Sequence, residues 1–280
     1  MALILPESAT TDAYPALPQP GVTLTGGEAF QRIQALSMVS KAGFHGVELG
    51  GAPGELGNPS RMTGLARKDL LKTLRETGLS PLAIRSDVRV GLASGRERRA
   101  ERDRLRAFLD LGHGIACPLI VVQASRSGKG MDAARYALDA VYEAESSLEQ
   151  GGLHLAVEAG GDAASFLADP EARDRFLAES PAAVGLALVH GDLAAAVPAE
   201  EDMQRLSGRV KLVRLSAAKG YEGSLGLDNR EMALKMIKTF RQKDFRGSIT
   251  VLPGIDALDL EELRRLCQSI LSFFSQAMMR

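Results

Sequence analysis

The chain has 280 residues, of which 45% are hydrophobic and 25% charged, and its formal net charge is −1. This length accommodates one large α/β barrel or two ordinary domains, and it buries a core without needing disulfides or a structural metal. A charge so close to zero argues against nucleic acid or a membrane surface as the main partner.

The N-terminal segment and the two cysteines indicate a cytoplasmic protein. Residues 1–7 have no basic region, their apolar run is too short for a signal peptide, and no stretch reaches the length of a membrane span. Cys117 and Cys267 are too few and too far apart for a disulfide framework or a zinc site. We expect both to be buried free thiols in a reducing compartment.

Short β-branched runs alternate with helical segments along the chain, a pattern typical of a parallel sheet with crossover helices. The first strand is predicted at residues 2–5, and residues 22–25, inside the Pro- and Thr-rich loop that follows, are the alternative. The other seven predicted strands lie at 46–49, 82–84, 119–122, 153–157, 184–189, 210–215 and 249–252.

Helical periodicity fills most of the gaps between these strands. Gly43 and Gly78 stand where left-handed residues commonly end helices. Interleaved acids and bases between Arg96 and Arg106 predict a solvated outer helix face. Pro170 and Pro198 are expected to interrupt the fifth and sixth crossovers. The predicted helices cover 28–42, 66–77, 97–111, 133–149, 230–242 and 258–278.

Eight strands that alternate with helices predict a single (β/α)₈ TIM barrel over residues 1–280. The alternative is an open doubly wound sheet. That fold commonly carries a Gly-x-Gly-x-x-Gly turn after its first strand, and the sequence has none there.

Several segments resemble the xylose-isomerase-like TIM barrels, the superfamily of sugar phosphate isomerases and epimerases. Residues 42–49 read AGFHGVEL and are similar to the AGFDGVEL segment of that superfamily, and residues 152–158, GLHLAVE, resemble its GVTLALE fifth strand. Similar segments follow in order at 78–83, 118–123, 183–188 and 245–251. The resemblance implies an isomerase or epimerase of a sugar or sugar acid, phosphorylated or not, that transfers a proton next to a carbonyl.

The resemblance also implies a divalent metal, Mg²⁺, Mn²⁺ or Zn²⁺, held at the ends of strands five to eight. Glu158 matches the first of the four ligands. His190 and Asp192 follow the sixth strand closely enough to complete an improvised site with it. The other three matching positions hold residues that do not bind metals: Val189, Arg214 and Leu252.

The carboxyl ends of barrel strands meet at the mouth, where active sites form. In a catalytic version, Glu158 abstracts the proton and His190 or Asp192 returns it. A nearby arginine lowers the pKa of a carboxyl group, which opposes the use of Glu158 as a base. The residues predicted to contact the substrate are Glu48, Arg85, Gln123, Arg214 and Lys219.

The alternative function is a barrel that has lost catalysis and binds an anionic ligand without a metal. Arg85 and Arg214, both predicted near Glu158, would repel a metal ion and pair with an anion. The loop at residues 125–130 could add backbone N–H donors. In the last helix, Leu271, Phe273, Phe274, Met278 and Met279 indicate either a homodimer contact or packing on the barrel.

Overall fold

Eight parallel strands form a closed barrel in chain order, which confirms the predicted (β/α)₈ fold and rules out the open sheet. The structure is a computed structural model that describes residues 21–25, 33–125, 130–159, 165–189, 206–217, 227–242, 245–253 and 259–278. Strands β1 to β8 span Gly21–Leu24, Gly46–Gly50, Ser80–Val90, Leu119–Ala124, His154–Ala159, Val184–Val189, Val210–Ser216 and Ser248–Leu252.

The first barrel strand is the alternative of the two predicted ones. Val22 of β1 lies opposite Val47 of β2 on one side and opposite Val251 of β8 on the other, so β1 closes the barrel. The prediction of the first strand at 2–5 is therefore wrong, and those residues lie outside the described part. A short apolar run fits the strand pattern wherever it occurs, and only pairing with both neighbours distinguishes the two candidates.

Seven helices are described around the barrel. Pro170 does not interrupt the fifth crossover but starts its helix, where the N–H that proline lacks would have no helical partner anyway. Asp169 caps this helix by accepting the N–H groups of Glu171 and Ala172. Pro198 lies outside the described residues. Helices α1 to α7 span Gln34–Lys41, Gly64–Thr77, Gly95–Gly114, Gly130–Gly151, Pro170–Glu179, Leu227–Gln242 and Leu260–Met278.

The ends of the early helices follow local sequence rules. Gly43 and Gly78 have φ angles of 101° and 66°, in the left-handed region that glycine enters without steric cost. Thr63 and Ser94 accept N–H groups at the starts of α2 and α3. These signals fix where α2 and α3 begin and where α1 and α2 end.

Two apolar clusters lie on opposite faces of the strands. The larger one fills the space between barrel and helices and includes alternate strand residues such as Ile120, Val122, Leu155 and Val157. The smaller one lies inside the barrel, towards the amino ends of the strands. Its six buried members are Ala83, Leu119, Val121, Ala156, Ala187 and Leu212.

The long polar side chains of the interior stand directly above this small cluster. On β3, β5 and β7 the cluster residue is followed, two positions later on the same strand face, by Arg85, Glu158 and Arg214. Because three of the six cluster members are alanines, the cluster fills little of the barrel interior and leaves space for these side chains.

The last helix packs mainly on the barrel. Phe273 and Phe274 are buried, whereas Leu271 is 48% exposed. The predicted homodimer therefore stays a prediction, since barrel packing already accounts for the two aromatic residues. Cys117 and Cys267 are buried and free, and burial raises the pKa of the Cys117 thiol to about 12. Among the described helices, none has the length and apolar character needed to cross a bilayer.

Candidate functional site

Glu48 lies at the centre of a polar network inside the barrel. Its side chain, on β2, has no exposed surface. Oε2 accepts hydrogen bonds from Thr23 Oγ1 at 2.7 Å, from Thr250 Oγ1 at 2.9 Å and from Arg214 Nε at 2.9 Å. Oε1 accepts a further bond from Arg214 Nη2. Three of these hydrogen bonds fall on Oε2 and one on Oε1, so protein donors take the place of water around the Glu48 carboxylate.

Arg214 joins the two carboxylates of the network. It extends from β7, is 1% exposed, and binds Glu48 through two nitrogens in the fork geometry of a guanidinium. Its third nitrogen, Nη1, donates to Glu158 Oε2 at 3.1 Å. One cation therefore connects β2 and β5, two strands that are not neighbours in the barrel.

Glu158 and Arg85 form the part of the network nearest to solvent. Arg85 Nε donates to Glu158 Oε2 at 3.0 Å, and Nη2 donates to Oε1 at 2.8 Å. The Arg85 side chain is 29% exposed and that of Glu158 is 9% exposed. Glu158 stands near the carboxyl end of β5, and Arg85 reaches it from the middle of β3, so we take this pair as the floor of the barrel mouth.

The register of the barrel explains why these groups meet. Thr23 lies opposite Glu48 on the neighbouring strand, and Arg214 lies opposite Thr250. Gln123 of β4 lies opposite Glu158 and is partly exposed, which places it beside the Arg85–Glu158 pair at the mouth. The network thus draws residues from β1, β2, β3, β5, β7 and β8.

The network keeps both carboxylates ionised. Burial raises the pKa of Glu48, but the Arg214 charge and the hydrogen bonds from Arg214, Thr23 and Thr250 outweigh it, and the net pKa lies below the ordinary value. For Glu158, burial again raises the pKa, while Arg214 and Arg85 together lower it further than burial raises it. Burial lowers the pKa of Arg214, and the two glutamates raise it overall.

The donor set does not fit a divalent metal. Arg85 and Arg214 together place three N–H donors on the Glu158 oxygens, at the positions that a cation would need. A guanidinium stays charged at any working pH, so both arginines would also repel the ion. Among the described residues, no three His, Cys, Asp or Glu side chains converge in a metal-binding arrangement.

Among the described residues, the matching positions at the ends of β6, β7 and β8 also lack side chains that could bind a metal. Val189 ends β6 and Leu252 ends β8, and neither offers a donor atom. At the corresponding position of β7, Arg214 contributes a positive charge in place of a metal ligand.

The structure brings five of the eight predicted site residues into one region: Glu48, Arg85, Gln123, Glu158 and Arg214. The prediction placed Glu48 and Arg214 in contact with a substrate. In the structure both are buried and bonded to each other, and Arg214 also lowers the pKa of Glu158, whereas the Glu48 charge raises it. His190, Asp192 and Lys219 lie outside the described residues, as do residues 126–129 of the predicted anion loop.

Sequence reasoning missed Thr23 and Thr250. Each is a fully buried polar residue within a largely apolar strand, facing the same interior as Glu48 and Arg214. The available signal was their strand alternation: a buried hydroxyl needs a partner, and the opposite residue on the neighbouring strand is the nearest candidate.

Comparison with solved structures finds similar TIM barrels. The chain superposes on a xylose isomerase-like TIM barrel/4-hydroxyphenylpyruvate dioxygenase fusion protein with a TM-score of 0.69 and 15% identity, covering 94% of this chain but 43% of the fusion protein. It superposes on the IOLI protein with a binding zinc atom with a TM-score of 0.71 and 12% identity, covering 94% and 100% of the two chains.

A third similar structure is D-psicose 3-epimerase with D-tagatose from Clostridium cellulolyticum H10, with a TM-score of 0.75 and 12% identity over 93% of this chain and 99% of the epimerase. No protein-family model and no curated protein matches the sequence. At these identities the similarity establishes the fold alone, which is a TIM barrel.

Proposed function

We propose that this chain binds a small polyhydroxylated ligand, a sugar or a sugar acid, at the barrel mouth without a divalent metal. Arg85, Glu158 and Gln123 are the residues that contact the ligand. Arg214 and Glu48 lie beneath them and act as positioning residues. The observation that carries this proposal is the two-bond Arg85–Glu158 pair, which is partly exposed at the floor of the mouth.

The chemistry of this pair suits a polyol. A carboxylate accepts hydrogen bonds from hydroxyl groups, a guanidinium donates to hydroxyl or carboxylate oxygens, and the amide of Gln123 does both. The network contains two carboxylates and two guanidinium groups, so it is neutral as a whole, and neutral sugars and sugar acids can both bind. Three solved barrels of this fold are described with a bound or added sugar: D-tagatose, D-allulose and D-fructose.

Binding is tested by calorimetric titration of D-tagatose, as a neutral sugar, and of D-gluconate, as a sugar acid. We expect saturable binding of at least one of them, weakened about tenfold or more in Arg85→Gln, because a charge-assisted hydrogen bond is lost. Arg75→Gln, an exposed arginine on α2, is the matched control and leaves the affinity unchanged. Equal affinity in the wild type and in Arg85→Gln would remove Arg85 from the binding site.

A second candidate is the sugar isomerase or epimerase itself, favoured by the position of Glu158 at the mouth end of β5 and by the epimerases among the similar folds. The lowered pKa of Glu158 makes it a weak base, so this candidate requires substrate binding to displace Arg85 or Arg214 from the carboxylate. His190 and Asp192 are the predicted residues for returning the proton.

Proton exchange separates the two candidates. Incubation of a bound sugar in deuterated water, followed by mass spectrometry, detects proton abstraction even where product does not accumulate. Exchange that disappears in Glu158→Gln supports an isomerase or epimerase. Binding without exchange supports the metal-independent binding protein.

A further inference from the structure

A groove of about 550 Å³ lies on the outside of the barrel, between the end of β3 and the helices α3 and α4. Its volume falls in the range of pockets that hold small organic ligands. Its floor is apolar and is formed by Val88, Val90, Leu92 and Leu105, all buried. The floor can therefore cover an apolar ligand body.

The rim of the groove carries a small excess of positive charge. Among the described residues, its lining contains four arginines and three acids. Arg102 pairs with Glu143 across the groove, so these two charges compensate each other. A second acid, Glu101, pairs with Arg104, which lies outside the lining and also pairs with Asp87. The remaining groups are three arginines, Arg89, Arg98 and Arg99, against the single carboxylate of Asp139.

Arg98 is held in place at this rim. Its Nη1 atom donates to the carbonyl oxygens of Leu92 and Ala93, at 3.1 and 2.6 Å, and its guanidinium carbon lies 4.2 Å from the centroid of the Tyr136 ring. Carbonyl oxygens and an aromatic face orient a guanidinium without neutralising it. The arginine is thus fixed in position, and no carboxylate among the described residues forms an ion pair with it.

The groove is separate from the barrel mouth. Arg85 points into the barrel from β3, whereas Val88 and Val90 lie on the opposite face of the same strand and belong to the outer core. None of the described members of the interior network lines the groove. A ligand in the groove would therefore not contact the Arg85–Glu158 pair.

We infer that this groove is a second binding site, for a small organic anion that has an apolar or aromatic body and a phosphate or carboxylate group. The body covers the apolar floor, and the anionic group pairs with Arg98 and Arg99. This inference is independent of the function proposed for the mouth.

The test is calorimetric titration of the full chain with phenyl phosphate, benzoate and benzyl alcohol, which share an aromatic ring and differ in charge and anionic group. We expect saturable binding of phenyl phosphate, benzoate or both, weakening as salt is added, and no binding of benzyl alcohol. The two anionic probes distinguish a phosphate from a carboxylate site. Tyrosine fluorescence provides a second readout, because the chain has no tryptophan and two of its four tyrosines, Tyr136 and Tyr142, line the groove.

Matched variants locate the binding. Arg99→Gln and Arg98→Gln are each expected to weaken binding of the anionic probe about tenfold, the loss expected for one charge-assisted contact. Arg99 is exposed, so its replacement should leave the fold intact even if Arg98→Gln disturbs the loop at Leu92. Arg96→Gln, exposed on the same helix but outside the groove, should change the affinity less than about twofold.

Three results would overturn the inference. The first is no saturable binding of either anionic probe to the wild type at millimolar concentration. The second is wild-type affinity in both Arg98→Gln and Arg99→Gln. The third is loss of binding in Arg85→Gln with affinity retained in the groove variants, which would assign the probes to the mouth.

Discussion

Ion pairs occur in two contrasting regions of this chain, and the contrast lies in their surroundings. On the outer face of α2, Lys72 and Glu76 approach to 3.8 Å with side chains 72% and 63% exposed. Inside the barrel, Arg214 and Glu48 are 1% and 0% exposed and share two hydrogen bonds. The outer pair is screened by water and contributes little to stability, whereas the buried Glu48 carboxylate depends on Arg214 to remain ionised.

The two carboxylates of the inner network need a positive charge to compensate them. Two buried carboxylates would repel each other and lose solvation, and in a metal-dependent barrel the metal ion would compensate their charge. In this chain two guanidinium groups supply that compensation, one wholly buried and one partly exposed. The comparison therefore predicts that changes within the network lower the free energy of unfolding strongly, and that changes on the exposed faces of the helices hardly alter it.

The largest effect is expected for Arg214→Met. This change leaves Glu48 buried without a cation, which should lower the free energy of unfolding by about 3–5 kcal/mol, as measured by urea denaturation. The direction in which the stability of this variant changes with pH follows from the burial of Glu48. Unpaired Glu48 has a raised pKa and folds best when protonated, so the deficit relative to wild type should shrink as the pH falls from 8 towards 5.

A double variant separates a lost partner from lost packing. In Arg214→Met combined with Glu48→Leu no unpaired charge remains on that side of the network. We expect this protein to be more stable than Arg214→Met alone, with a coupling of roughly 2 kcal/mol between the two sites. Additive losses would mean that the two residues contribute by packing and not as an ion pair.

The next largest effect is the loss of stability of the wild-type protein at acidic pH. Glu48 and Glu158 have pKa values below their ordinary value of 4.5, so their contribution to stability is complete above about pH 4.5 and is lost as the pH falls through the lowered values. Chemical denaturation between pH 7 and pH 3 should show this loss. In Glu48→Gln the acid-dependent part should be smaller, and an unchanged slope would show that Glu48 is not ionised in the folded protein.

A smaller effect is expected for Thr250→Val, which keeps the side-chain shape and removes one hydrogen bond to the Glu48 carboxylate. The expected loss is about 1–2 kcal/mol, since hydrogen bonds to charged groups exceed neutral ones. Thr239→Val is a suitable control, because Thr239 donates its hydroxyl to the backbone of its own helix, at Lys235. Similar losses in both variants would show that the carboxylate adds nothing to the Thr250 bond.

The smallest effect is expected for Lys72→Ala on the outer face of α2, with a change of less than about 0.5 kcal/mol. The thermal midpoint of Lys72→Ala should nearly equal that of the wild type, and the difference between the two should not change when salt is added. A loss comparable to that of Thr250→Val would erase the distinction between the two regions.

Much of the architecture was predictable because strand and helix periods repeat locally. The strand ending at Glu158 and the glycine-terminated helices at Gly43 and Gly78 follow from short stretches of sequence. β3 was predicted too short, at 82–84, because Arg85, Asp87 and Arg89 interrupt its apolar pattern on one face. Arg85 pairs with Glu158 of β5 and Asp87 with Arg104 of α3, so two of these three charges have partners outside the strand.

The sequence was sufficient to predict most residues of the site, but not which of them pair with each other. Glu158 and its two arginines could be placed near one another from strand ends alone. The pairing of Glu48 with Arg214 could not, because these residues are 166 positions apart on strands that are not adjacent. Such a contact depends on the tilt and register of the whole barrel, which local patterns do not encode.

Metal content tests the central claim most directly, since the claim is that two arginines occupy the carboxylate that a metal would need. The measurement is elemental analysis of the purified chain, followed by thermal unfolding with added Mn²⁺, Mg²⁺ or Zn²⁺ and with a chelator. The account predicts no stoichiometric divalent ion and a midpoint that shifts by less than about 1 °C under all these conditions. About one tightly bound ion per chain, with a midpoint that falls by several degrees on chelation, would contradict it.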